Sequence, residues 1–298
     1  MPNLEDIKGK IKTAEDLQSV VKTMKALAAV SIRQYEQAVK SLEEYHRTVE
    51  LGFQILLKNR PDAVPLVREP RHDATLGAVV FGSDQGMCGQ LNEQILTHAL
   101  VTMDNMGVDL PKRSVLAVGL RIAGRLEDEG QPVQNYFSVP SSAPGIVPQA
   151  YEVLIELEKW HAEQGVQRII LLYCQHLGGA SYLPTTAYLM PVEEWWLKTL
   201  QEKKWPHHVL PTFTMDWDLL FRRLVRQHLF VSLYRAFAES LASEHASRLT
   251  SMQGAEKNIE ERLGELWASF HRQRQMSITE ELLDIVSGFT ALSEEEPP

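Results

Sequence analysis

The sequence predicts an α/β protein: long N- and C-terminal helices pair as an antiparallel coiled coil, and a Rossmann-like α/β domain is inserted between them. Three observations predict it. The first sixty residues hold no proline after Pro2 and carry apolar or small residues at steps of three and four. The stretch from about Asp216 to Leu292 is equally free of proline and keeps the same spacing. Between them, short apolar runs alternate with helical stretches. Steps of three and four mark a helix that packs along another helix, whereas continuous apolar runs separated by helices mark strands covered on both faces.

The N-terminal seam runs through Leu4, Ile7, Ile11, Ala14, Leu17, Val21, Met24, Ala28, Ser31, Tyr35, Ala38, Leu42, Tyr45 and Val49. One extra step of three, from Ala14 to Leu17, predicts a local stammer. Acids at the start and Arg60-Pro61 at the end are start and stop signals for a helix of about 80 Å. In the middle, residues 76–81, 114–119 and 168–174 read as strands, and about 91–106, 121–129 and 148–164 as helices. Prolines 132, 140, 144, 148, 184, 191, 206 and 211 punctuate its loops. The final helix repeats the seam at Trp217, Leu220, Leu224, Val231, Tyr234, Ala238 and Leu241, then at Met252, Ile259, Leu263, Leu266 and Phe270. The predicted divisions are 1–60, 61–212, 213–292 and a frayed acidic tail, 293–298.

Composition excludes several classes. The chain has 298 residues and a net charge of -9, which argues against a general nucleic-acid binder, because phosphate backbones require a basic surface, but leaves room for a local basic patch. Cys88 and Cys174 are its only cysteines, too few for a disulfide framework or a four-thiolate metal site. The charged N-terminus lacks the apolar core of a secretory signal, and no run is long enough to span a membrane. Any membrane association is therefore expected through partners.

Few constellations point to chemistry. "FGSDQGMCGQLN" (81–92) lies between a strand and a helix, where phosphate loops occur, yet it lacks both the P-loop ending and the G-x-G-x-x-G spacing. It reads better as a structural turn built on Gly82, Asp84, Gly86, Cys88 and Gly89. Cys88 has no identifiable base, and "YCQH" (173–176) and "HH" (207–208) lack the spacing of a closed metal site. The acidic runs are solvated faces. Arg222, Arg223, Arg226 and "HRQRQ" (271–275) form the main basic spots, suited to an acidic protein partner rather than to nucleic acid. No catalytic residue, metal or cofactor is indicated.

Four separated motifs carry a family resemblance. "ESLASEHASRLTSMQGAEKN" and "RQMSITEELLDIVSG" are similar to "ENLASE-AARM-AM--A--N" and "RQA-IT-EL-EIVSGA" of the gamma subunit of F-type ATP synthases. "SDQGMCGQLN" resembles that family's "SDRGLCGGLN", and "IKTAEDLQSVVKTMKALAA" and "SYLPTTAYLMP" also match in order. The resemblance implies a central rotor shaft without an active site of its own. Its partners would be the alpha and beta subunits of the catalytic ring, the epsilon subunit and the c-ring of the membrane sector. It would lie peripherally at the cytoplasmic face of the cell membrane. It also implies coupling contacts at Met24 (with Lys25 beside it), Arg248, Arg274, Gln275, Thr279, Glu281 and Asp284.

There are departures. The family's "AASK" reads "AAVS" at 28–31, its "SDRG" arginine is Gln85, and Met276 replaces the alanine of "RQA". They suggest a divergent lineage, one reading of which is the alternative F-type ATPase, often sodium-translocating. Two other readings predict different behaviour: a nucleotide-binding α/β enzyme with oligomerising helices would take a ligand at the glycine turn, and a coiled-coil scaffold would self-associate.

Overall fold

The computed structural model describes residues 4–59, 74–206, 209 and 211–294, with side chains described as far as residue 288. Helix α1 spans Leu4–Asn59, with Glu5 and Asp6 in its first turn and Lys58 in its last, a charge order that suits the helix dipole. The predicted stop at Arg60-Pro61 lies outside the described residues, as do His207 and His208. The last helix, α6, spans Trp217–Glu294. Asp216 caps it, its Oδ1 accepting from the backbone N–H groups of Asp218 (3.0 Å) and Leu219 (3.2 Å). The helix thus continues into the segment predicted to fray, and residues 295–298 lie outside the described ones.

Between these helices come β1 (Leu76–Phe81), α2 (Leu91–Asn105), β2 (Arg113–Val118), α3 (Leu120–Asp128), β3 (Val133–Phe137), α4 (Ile146–Glu163), β4 (Arg168–Gly178), β5 (Ser181–Met190) and α5 (Glu194–Glu202). The sheet order is β3-β2-β1-β4-β5, parallel except for β5, which runs antiparallel to β4. Alternate strand residues face opposite ways. Val79, Phe81, Leu116, Val118, Ile169 and Leu171 join α4 and α6 in one core, and Ala78, Val80, Val115, Ala117, Ile170 and Leu172 join α2 and α3 in another.

The sequence reading misses β3, β5 and α5. β3 is an edge strand with a half-exposed, polar composition, and β5 is the opposite edge and holds Pro184. An edge position tolerates proline because one row of its N–H groups has no ladder partner to lose. Pro148, expected in a loop, sits instead in the first turn of α4, where a missing N–H costs nothing.

The residues form two compact units: Ala28–Thr250, and a second that draws on the N-terminal residues up to Leu27 and the C-terminal ones from Ser251. Each contains a stretch of antiparallel helix pairing. In the larger unit Tyr35 stacks on His245 (ring centroids 5.6 Å), Tyr45 donates to Gln227 (2.8 Å), and the Trp217 indole donates to the Leu56 carbonyl (3.0 Å). In the smaller unit Lys25 pairs with Glu256, and Gln18 reaches Glu260 at 3.4 Å. Numbers fall along one helix as they rise along the other.

The predicted stammer is absent. Leu17 is 53% exposed, while Ala14 and Gln18 are half-buried and Val21 is buried, so the seam steps by four and then three. A regular alternation keeps the stripe facing its partner without overwinding the helix, at the cost of placing an amide rather than a leucine inside.

Candidate functional site

Two regions collect the residues singled out by sequence. The first is the crest of the sheet, where the strand order reverses between β1 and β4. In open α/β sheets this crevice, outside the carboxyl ends of the strands, is where ligands lie. Here it is bridged by α6. Ser247 donates to the carbonyl of Cys88 after β1 (2.6 Å), and the Ser243 hydroxyl lies 2.8 Å from both the Cys174 carbonyl on β4 and the Glu239 carbonyl one turn back.

The glycine turn is committed inward in the same way. The Ser83 N–H donates to Asn92 Oδ1 (3.1 Å), Asn92 Nδ2 donates to Ser83 Oγ (2.7 Å), and Ser83 Oγ donates to the Gln85 carbonyl (2.8 Å). A Cβ on Gly82 would stand 2.5 Å from Ile122 Cβ, which explains glycine there. Gly89 takes the left-handed conformation (φ 57°), and so does Met87 (φ 60°). Gly86 departs from the expectation, since its φ is ordinary and a side chain there would meet open space.

Asp84 ties three loops together. Its Oδ1 accepts from the N–H of Leu120, the first residue of α3, and its Oδ2 from the N–H of Val139, each at 2.8 Å. The anion at a helix N-terminus is favourable in its own right. Cys88 is buried, 3.4 Å from Ser83 Oγ, and Cys174 is buried in β4, where desolvation and then the neighbouring Cys88 push its thiol up to about 12. Neither has the features of a reactive thiol. His176 bonds Glu36 across 3.0 Å instead of joining a metal site. Among the described residues no group of three or more His, Cys, Asp or Glu side chains is arranged to hold a metal ion.

Arg248 requires a correction. The resemblance places it among contacts with a surrounding ring, yet it is 5% exposed and pairs within its own helix with Glu244, Nη2 to Oε1 at 2.6 Å. Burial raises the Glu244 pKa, Arg248 opposes that, and Asp84 adds to it. The side chain is spent on neutralising a buried carboxylate, so it is not free to reach outward. Glu244, Ser243 and Ser247 are the residues that sequence reasoning missed at this crest. Their signal was the helical spacing of small and acidic residues within "ESLASEHASRL", which lets α6 approach the sheet closely.

The second region is the smaller unit. Met24 is half-buried, and Lys25 is held by Glu256. Arg274, Gln275, Thr279, Glu281 and Asp284 are all exposed on α6, and Thr279 returns its hydroxyl to the Gln275 carbonyl at 2.9 Å. Beside them Ile278, Leu282, Ile285 and Val286 are also exposed. A helix that leaves such aliphatics uncovered together with hydrogen-bonding groups has a surface suited to enclosure by other chains. Of the other basic spots, Arg226 is engaged by Glu158 at 2.7 Å and 3.4 Å, while Arg222 and Arg223 are exposed.

Comparison with known proteins follows the same outline. The model of the ATP synthase family matches residues 3–292. The chain is 30% identical over 212 residues to the ATP synthase gamma chain of Geobacter metallireducens, covering 70% of this chain and 71% of that one. It is 27% identical over 227 residues to the ATP synthase gamma chain of Buchnera aphidicola from Schizaphis graminum, covering 76% of each. In fold it is similar to a chain of the Euglena gracilis mitochondrial ATP synthase in its OSCP/F1/c-ring structure, with TM-score 0.63, 17% identity and 99% and 97% coverage. A chain of the rotor of that enzyme gives TM-score 0.57 at 16% identity, covering 92% of this chain and 98% of that one.

Proposed function

The chain belongs to the ATP synthase gamma-chain family, and on that premise we propose that it is the central rotor shaft of an F-type ATP synthase or ATPase. Ion flow through the membrane sector turns it, and its rotation drives ATP synthesis or hydrolysis on the beta subunits. Its partners are the alpha and beta subunits, the epsilon subunit and the c-ring. It works at the cytoplasmic face of the cell membrane and is held there by those partners. Among the described residues no helix is long and apolar enough to cross a membrane. The observation that carries this reading is the family match running through both long helices and the sheet between them.

We assign the coupling contacts to Met24, Lys25, Arg274, Gln275, Thr279, Glu281 and Asp284, which the smaller unit leaves exposed or half-buried. A contact that couples must differ in strength between rotational states, and exposed hydrogen-bonding groups on a helix can form and release such contacts. We read residues 1–60 and 213–292 as the shaft and 61–212 as its base. The departures at 28–31, Gln85 and Met276 fit the alternative lineage, which sodium-dependent ATPase stimulation in the assembled complex would test. The decisive experiment is reconstitution. The purified chain should hydrolyse no ATP, and its addition to alpha, beta and epsilon subunits with the membrane sector should restore ion-coupled ATPase activity. An assembled complex that remains uncoupled would sink the proposal.

A further inference from the structure

An open sheet has two edges, and here they differ. β3 has five residues and a polar middle, Gln134 and Asn135. β5 has ten residues, nearly matching the eleven of β4, and none of Ser181–Met190 is charged. Among the described residues no other segment pairs with its backbone on the side away from β4. Edges are ordinarily blunted by charge, proline or bulges. Pro184 and a register shift between Tyr188 and Met190 interrupt this one, and Thr185–Tyr188 runs regularly between them.

That stretch also has a cavity on each face. Thr186 bonds His98 of α2, whereas Leu189 joins the core formed with α4 and α6, which distinguishes the two faces of β5. On the α2 side a groove of about 650 Å³ is lined by Met106, Ile170, Tyr188, Met190 and Trp195. Its rings are unusually bare, Tyr188 57% and Trp195 62% exposed. On the α6 side a cavity of about 320 Å³ is lined by Ala187, Trp196, His228, Ser232 and Arg235. The Nδ1 atom of His228 is buried without a partner. The two cavities share Tyr188, Val192 and Glu193, so they meet at the C-terminal end of β5.

Successive side chains of a strand point to opposite faces. A strand laid along β5 therefore sends neighbouring side chains into the two cavities while its backbone meets the unpaired edge. A helix or a compact ligand would fill one cavity and leave the edge unmet. We propose that β5 is a docking edge for an extended strand of another subunit of the complex, an inference that rests on the reading of this chain as a shaft subunit. The incoming strand adds a sixth to the five-stranded sheet. Main-chain bonds supply its affinity and the two cavities its selectivity. The wide groove, with its methionines and bare rings, takes a long apolar side chain. The narrow cavity takes a neutral hydrogen-bonding one, because the His228 nitrogen donates or accepts according to its tautomer.

The test follows amide hydrogen exchange, residue by residue, in the free chain and in the complex reconstituted with alpha, beta and epsilon subunits and the membrane sector. Alternate amides of Thr185–Tyr188, those turned away from β4, should exchange at least about tenfold more slowly in the complex. The double variant Tyr188→Thr/Trp195→Ser, on exposed side chains, should keep the melting temperature of the free chain and lose that protection. Tyr136→Thr, at an exposed position on the opposite edge, should leave the protection intact. A complex that assembles and couples while these amides exchange as in the free chain overturns the docking edge alone. Protection that survives the double variant does the same. A chain that fails to join the complex overturns the shaft reading, and this inference falls with it.

Discussion

Asp84 shows how one side chain joins separate parts of the chain. Both its oxygens accept backbone N–H groups, one opening α3 and one following β3. Asp84→Asn leaves one of those donors facing an amide NH₂, so thermal denaturation should show a loss of about 1–3 kcal/mol. Arg248 gives a sharper contrast. Removing it alone strands a charge on Glu244, and Arg248→Ala should cost about 3–5 kcal/mol. The double variant Glu244→Leu/Arg248→Leu should recover most of that loss. If Arg248→Ala melted like the parent chain, the ion pair would not be a structural one.

Two half-buried histidines set an acid limit. His228 is held down to about 4 by burial, then by His46 and Arg235, and His245 to about 4 by burial and then Arg248. Their unfolded-state value is 6.5. Between these values the unfolded chain binds more protons, so stability is full above pH 6.5 and falls as pH drops toward 4. His228 packs on Trp196 and Phe53 at 4.4 Å and 6.3 Å, so an aromatic replacement fits there. His228→Phe should shrink the drop in melting temperature between pH 7 and pH 5, measured by calorimetry.

At the scale of elements, the helix pair tolerates an amide where a leucine was expected. Gln18 occupies the seam and Leu17 faces outward. Gln18→Leu should stabilise the chain by about 1 kcal/mol, the value of partly burying one aliphatic side chain, and guanidinium denaturation would show it as a raised midpoint. α6 holds the sheet through hydroxyls at its small-residue face. Ser247→Val removes the donor to the Cys88 carbonyl and adds bulk at a close approach. Its cost should reach about 1–3 kcal/mol, seen as a lowered midpoint in the same assay. The same contacts explain why the crest of a Rossmann-like sheet serves here to fasten a helix.

The role of the whole molecule depends on what its exposed C-terminal segment meets. Gln275 and Thr279 are exposed, and the Thr279 hydroxyl donates locally to the Gln275 carbonyl. In the assembled enzyme, Gln275→Ala/Thr279→Ala should lower ATP-driven ion pumping several-fold, about 1 kcal/mol of coupling free energy, and leave subunit assembly intact. Normal pumping by that variant would remove these residues from the coupling set.

Long seams and buried strands were legible in the residues themselves. Their periodicities repeat over many turns, and local propensity agrees with burial at nearly every step. The strands β1, β2 and β4 and the helices α2, α3 and α4 were legible for the same reason, whereas β3 and β5 were not, because half-exposed edges carry little hydrophobic pattern, and nor was α5, a nine-residue helix that buries just Leu197 and Leu200. The motifs at the crest marked residues that matter without saying how. Whether Arg248 reaches outward or inward, whether Gln18 or Leu17 enters the seam, and whether a glycine turn cradles phosphate or is stitched to α6 depend on partners far away in the chain. Those outcomes are set by long-range packing and by the cost of leaving a buried charge or carbonyl unmet, which no local window of residues contains.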